Sequence, residues 1–286
     1  MKKHLPLIFL LVFIFCIIFN NKLVTTNIQT AIILFQNKIF PSLFPFLVLS
    51  PLLINYGFLN ISQKIFGSIM RKVFHLSENT SYIFLMSLFT GFPGSSMYAK
   101  ELYNESLISK EDVSKIILFS HFSNPIFIFS MLSTKPLLVL SVHYLSNILI
   151  GLIFKSSTPI NTSTKNKQIK QVSFFTIFSK SIKQSIETLF FILGVIVFFF
   201  MLSSVINNPI ANVVLELSQG LIYVNNYFEN KRIIAAISSA LLSFGGFSVH
   251  MQTYGILADL DFSYFKYLKA RLFHALLSFI IIYFIF

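Results

Sequence analysis

The chain has 286 residues, of which 55% are apolar and only 11% charged, with 36 Phe, 11 Tyr and no Trp. A typical soluble domain carries roughly 25% charged residues, and a water-soluble globule of this composition would expose more apolar surface than soluble monomers tolerate. A soluble enzyme, a secreted disulfide scaffold and a disordered chain are set aside, and lone Cys16 excludes an internal disulfide and a cysteine-based metal site. What remains is an all-α polytopic membrane protein. The excess of 22 Lys+Arg over 10 Asp+Glu does not indicate nucleic acid, because the basic residues sit in short loops between apolar runs. Lys155, Lys165, Lys167, Lys170, Lys180 and Lys183 form the densest cluster, which belongs on the cytoplasmic side.

About 20 apolar helical residues cross a bilayer core. Leu5 to Phe19 follows Met1-Lys2-Lys3 without a small-x-small cleavage site, and reads as an uncleaved first span. A second span from about Ile39 to Tyr56 contains Pro41, Pro45 and Pro51, and should be bent or broken. Gln63 to His75 suits a helix lying in the interface. Ser81 to Tyr103 is split by Gly91-Phe92-Pro93-Gly94-Ser95-Ser96, which predicts a re-entrant helical hairpin. Asp112 to Leu132, interrupted at Asn124-Pro125, and Pro136 to Phe154 read as crossings.

Residues 155–172 are polar, basic and rich in Ser, Thr and Asn, as a linker would be. Ile186 to Ile206 is the next strong span. Ala211 to Phe228 carries Glu216 and Glu229 and reads as interfacial, with both acids marking an aqueous face. Lys231 to Asp259 is apolar with a break at Gly245-Gly246, and predicts a second hairpin; Tyr264 to Phe286 is the last crossing. If both hairpins return to the side they entered, the N-terminus and residues 155–183 share the cytoplasmic side, while Lys135, Lys231 and Arg232 face outward against the charge rule.

The order span, interfacial helix, broken hairpin, span thus occurs twice. At a constant offset of 152 residues, Phe92-x-Gly94-x-Ser96 meets Phe244-x-Gly246-x-Ser248, Ser87 meets Ser239, and Ile54-Asn55 meets Ile206-Asn207. Three crossings separate the two starts, so the expectation is an inverted repeat, the architecture of alternating-access transporters. Non-helical backbone at membrane depth is tolerated only where protein buries it or a wet cavity lies beside it. Glycine tips let backbone approach a ligand closely, and the half-helix N-termini behind them suit an anion. Packing glycines in kinked helices are the structural alternative.

His121 and Asn124 share a helix face, as do His143 and Asn147, and His250 and Gln252 follow the second tip. Each is as well explained by an interhelical hydrogen bond as by a ligand role; Asn124 gains weight from the helix break at Pro125, and His274 reads as structural. The candidate substrate-binding residues are Gly91, Pro93, Gly94, Ser95, Ser96, Ser123, Asn124, Gly245, Gly246, Ser248, His250 and Gln252. Catalysis is not expected. Gly246-Phe247-Ser248 is followed by Val249 rather than glycine, His250 is poorly placed as a base, and Asp112, Asp259 and Asp261 lie near predicted helix ends. No phosphate loop and no metal-binding His pair is present, so neither a metal nor another cofactor is expected.

Several ordered motifs carry a resemblance. They are Phe40-Pro41-Ser42-Leu43-Phe44-Pro45-Phe46, Gly91-Phe92-Pro93, Ser123-Asn124-Pro125-Ile126-Phe127-Ile128-Phe129, His143-Tyr144-Leu145-x-Asn147, Ser248-Val249-His250-x-Gln252 and Ile256-Leu257-Ala258-Asp259-x-Asp261. Across almost the whole chain they resemble the YlbJ (SpoVV) family of sporulation integral membrane proteins, within the wider nucleoside-recognition gate group. That family is similar in fold to concentrative nucleoside transporters. The resemblance implies transport of dipicolinic acid, a small aromatic dicarboxylate, from the mother cell across the outer forespore membrane. Ser96-Met97 stands where relatives often carry a small residue and then Lys, so a cation is missing at the first tip.

These readings divide the chain into a first transmembrane span (1–27), a first gate repeat plus connecting span (28–154), a basic cytoplasmic linker (155–172) and a second gate repeat (173–286). The expected function is alternating-access transport of a small organic anion. A non-transporting scaffold of a sporulation complex and a nucleoside-type solute carrier are the alternatives. The expected partners are the anionic substrate and the lipid bilayer; coupling ion and oligomeric state are left open.

Overall fold

A computed structural model describes residues 4–155, 173–260 and 262–286, and in these segments the chain is helical, with no strand. Most of the basic linker at 155–172, and Asp261, lie outside the described residues. Five helical runs are long and apolar enough to cross a membrane: Asn21–Asn55, Pro136–Ile153, Phe174–Ile206, Lys231–Ile256 and Tyr264–Ile285. The chain is a multi-pass integral membrane protein.

Helix α1 (Leu5–Phe19) buries only Phe13 and presents its other apolar side chains outward, as a lipid-facing helix does. One residue, Asn20, separates it from α2 (Asn21–Leu34). A π-turn at Phe35–Ile39 stands just ahead of α3 (Phe40–Asn55), and the break expected from the prolines is absent. Pro45 and Pro51 sit inside α3 without breaking it. The amphipathic stretch after it is three short pieces: α4 (Phe58–Ser62), a second π-turn at Gln63–Gly67, and α5 (Ser68–Lys72).

Helices α6 (Thr80–Thr90) and α7 (Phe92–Asn104) fold back on each other about Gly91. Tyr82 and Tyr98, on opposite arms, have ring centroids 5.6 Å apart. Both anchor on Ser50 of α3: the Tyr82 hydroxyl donates to its carbonyl at 3.0 Å, and the Tyr98 hydroxyl to its Oγ at 2.6 Å. Gly91 turns the chain at φ +79°, ψ −168°, a region open in practice to glycine alone.

The stretch expected as the next crossing, 112–132, is two short helices and is not among the five spanning runs. α8 (Lys110–Ile116) begins with a capping box of Ser109 and Asp112, and α9 (Pro125–Met131) resumes after Asn124, whose side chain accepts from the Phe127 amide. α10 (Pro136–Ile153) returns. α11 (Phe174–Ile206) is the long helix. α12 (Pro209–Leu215) and α13 (Leu217–Tyr227) fold back on each other about Glu216. α14 (Lys231–Phe244) and α15 (Gly246–Ile256) are interrupted at Gly245, and α16 (Tyr264–Ile285) returns.

Two expectations are corrected here. The break at Gly245-Gly246 is not a hairpin tip. Ser239 lies beside Ser278, Ser243 and His274 both meet His143, and His250 lies beside Tyr264 and Tyr267. α14 and α15 therefore run in one direction along α16. The folded-back pair of the second half is α12–α13, in the stretch expected to be interfacial. The offset of 152 residues consequently aligns unlike elements: by element order Gly91 corresponds to Glu216, and the break after α8 to Gly245. Chance identities of Phe, Gly and Ser outweighed the element pattern.

Candidate functional site

Side chains from the crossings satisfy the backbone that these breaks expose. At the C-terminal end of α6, the Asn124 amide donates to the Phe89 carbonyl and also to that of Ser42, and the Tyr144 hydroxyl donates to Leu88 and Ser123. Arg271, fully buried, donates to the Leu118 carbonyl just past α8, and the Ser123 amide donates to His143 Nε2 at 2.9 Å. At the second break, His250 Nε2 donates to the Phe244 carbonyl at 2.9 Å. Buried carbonyls and amides left without a partner are costly. His143, His250 and Arg271 are thus struts of the broken helices.

Both folded-back pairs and both breaks converge on one cavity. Its walls are Ile39, Ser42 and Leu43 at the start of α3; Gly91, Phe92 and Pro93 at the first tip; Asn124 and Phe127; Ile192 and Ile196 of α11; Glu216, Leu217 and Ser218 at the second tip; and Val249 and Gln252 of α15. About 450 Å³ of atom-free space lies between these side chains, part of it open to the surroundings. The helices α7, α13 and α15 all start at or beside it, so their positive ends face inward.

One helical turn away along α3, α7 and α15 lies a wider, more open vestibule, with about 1430 Å³ of atom-free space. Leu43 is succeeded by Leu47, Pro93 by Met97 and Gln252 by Ile256, with Phe191 opposite. Leu47, Met97, Phe191 and Ile256 thus make an apolar part of the vestibule wall. The mouth of the vestibule carries Lys100, Glu101, Glu105, Lys180 and Glu187.

Of the candidate residues, Gly91, Pro93, Asn124 and Gln252 line the cavity. Gly94 instead packs on Thr90, with a built Cβ only 2.1 Å from Thr90 Oγ1. Gly245 lies against His121 and Gly246 against the Leu217 amide; both shape the tip from behind. Ser95 is bound to its own helix at the Phe92 carbonyl, while Ser96 and Ser123 are buried with no partner for their hydroxyls among the described residues. His250 turns away to Tyr264 and Phe244. Ser248 stands beside Glu216.

The residue that sequence reasoning misplaced is Glu216. It is 2% exposed, not on an aqueous face, and caps α13 by accepting from the Gln219 amide at 2.9 Å. An acid inside an apolar run was itself the signal that could have found it.

Residues 37–141, which span α3 through the first part of α10, match the family described as Gate: Nucleoside recognition. The chain is also 24% identical to the sporulation integral membrane protein YlbJ of Bacillus subtilis (strain 168), over 85% of this chain and 73% of that protein. The resemblance read from the sequence holds. Its matched gate segment supplies the first tip, Asn124 and the α3 wall of the cavity. No solved structure matches the chain.

Proposed function

We propose that the chain is an alternating-access carrier of a small organic anion, with dipicolinic acid as its substrate, in the mother-cell membrane around the forespore. The observation that carries this reading is the convergence of two folded-back helix pairs and residues beside two helix breaks on one cavity. In this reading α6–α7 and α12–α13 are re-entrant hairpins, and the two halves form an inverted repeat about the cavity. The long helix, hairpin, broken crossing and return of each half support it.

Three inward-facing helix N-termini favour an anion, and Phe92 and Phe127 offer apolar faces for a ring. In this reading the vestibule is the approach to the site from the side of Lys180, and its apolar wall at Leu47, Met97, Phe191 and Ile256 is the gate. Transport follows when the tips separate and the gate opens in alternation, as broken-helix carriers do around a fixed central site.

The nucleoside reading draws on the description of the matched gate family and on the neutral polar trio Ser42, Asn124 and Gln252 in the cavity wall. One experiment separates the two. A ligand at a hundredfold its Kd adds about 2.7 kcal/mol to the stability of the native state. Dipicolinate is expected to raise the melting temperature of the purified full chain in detergent, and nucleosides are not. The reverse pattern replaces the dipicolinate assignment with a nucleoside one.

A further inference from the structure

We propose that Glu216 is the proton-carrying group of the transport cycle. As a carboxylate it occupies the anion position at the α13 N-terminus, and it takes up a proton when a carboxylate substrate enters the cavity. This rests on the reading of the chain as an organic-anion carrier.

The geometry sets the competition. Glu216 is the hinge between α12 and α13, and its side chain is turned back onto the start of α13, where Oε2 accepts from the Gln219 amide. Ser218 and Ser248 are the hydroxyl side chains beside it. The free amides that recommend this helix start to a substrate anion are thus already facing a negative charge. No ion pair to Glu216 exists among the described residues. The walls supplied by α3, α7, α9, α11 and α15 are neutral, with Ser42, Asn124 and Gln252 as their polar side chains. Behind the tip, His121 pairs through Nδ1 with Tyr267 while its Nε2 lies against Gly245 with no hydrogen-bond partner among the described residues, and His250 is bound to Tyr264 and Phe244.

Two uncompensated carboxylates cannot share so apolar a space, because attraction and repulsion between charges strengthen as water is excluded. Protonation resolves the conflict. It removes the charge and converts one oxygen of Glu216 from acceptor to donor, so that the side chain can hydrogen-bond the incoming carboxylate instead of repelling it. The proton comes from water in the vestibule and leaves on the far side with the substrate, so that one proton moves with each anion.

The test is dipicolinate binding to the full chain in lipid nanodiscs, over a pH range in which both dipicolinate carboxyls stay ionised. For one coupled proton, Kd is expected to fall about tenfold per unit decrease in pH until Glu216 is fully protonated. Glu216→Gln is expected to bind with a Kd that does not change with pH. A flat wild-type profile, or the same slope in Glu216→Gln, overturns the proposal.

A second measurement needs no substrate. A hydrophobic carbodiimide reacts with protonated carboxyls in apolar surroundings, and peptide mass spectrometry is expected to find it on Glu216, with labelling rising as pH falls. Labelling absent from Glu216 at every pH overturns the proposal. pH-dependent labelling combined with no dipicolinate binding by either protein overturns the dipicolinate assignment while supporting a proton on Glu216.

Discussion

Gly220 lies so close to Val213 that a Cβ built on it would sit 2.6 Å from the Val213 carbonyl oxygen. That approach is what lets α12 and α13 close about Glu216. Gly220→Ala must push the two arms apart, since neither the carbonyl nor the helix behind it can yield cheaply. Overpacking of this kind typically costs about 1–3 kcal/mol. The expected result is a lower melting temperature in detergent, with a larger loss for Gly220→Val.

At the first tip the constraint is conformational as well as steric. Gly91 sits at φ +79°, and a Cβ there would lie 3.0 Å from the Asn124 amide nitrogen. Gly91→Ala is expected to introduce about 1–3 kcal/mol of strain and to separate the tip from the α8–α9 break. Dipicolinate binding should weaken by more than tenfold, measured by titration, while the helix content seen by circular dichroism is retained.

Asn124 serves both as a cap and as a strut, because it accepts from Phe127 and donates to Phe89 and Ser42. Asn124→Asp keeps the cap acceptor and loses both donors. Two buried carbonyls are left without this partner, and a charge is added. A destabilisation of about 1–3 kcal/mol for each orphaned group is the scale involved. Thermal unfolding should show Asn124→Asp to be less stable than Asn124→Ser.

The link between α7 and the turn before α16 provides a control for the pH experiment. Lys100 hydrogen-bonds Asp259 at 2.8 Å, and that contact holds the Asp259 carboxyl below its ordinary value. A depressed carboxyl contributes stability that is present above its unfolded pKa and lost only as pH falls through the lower folded value. The link is therefore constant near neutrality. Asp259→Asn is expected to leave the neutral-range pH slope of dipicolinate binding unchanged, and Glu216→Gln to flatten it.

Much of the architecture was legible because bilayer length and charge leave direct marks on sequence. The apolar runs ending near Tyr56, Phe154, Ile206 and Phe286 became crossings, and Gly91 became a turn between paired arms. The second half was harder, for a physical reason. A glycine pair and an acidic cap both interrupt a helix, but only the neighbours decide whether the chain then folds back or continues. Gly245 continues because α16 provides a track from Ser278 to Tyr264. Glu216 folds back because Gly220 accepts Val213. The α16 track is distant in sequence from Gly245, and Val213 and Gly220, although they flank Glu216, read locally as ordinary helical positions. The same holds for His250, whose hydrogen bonds to Phe244 and Tyr264 depend on a helix direction that the sequence did not reveal.

Uptake of labelled dipicolinate by proteoliposomes containing the full chain tests the central claim most directly. The account predicts saturable uptake that is lost in Gly246→Val, where the added Cβ would meet the Leu217 amide at 2.9 Å and wedge the second tip. Uptake no greater than in protein-free liposomes, or undiminished uptake by Gly246→Val, would contradict a carrier whose substrate sits between these tips.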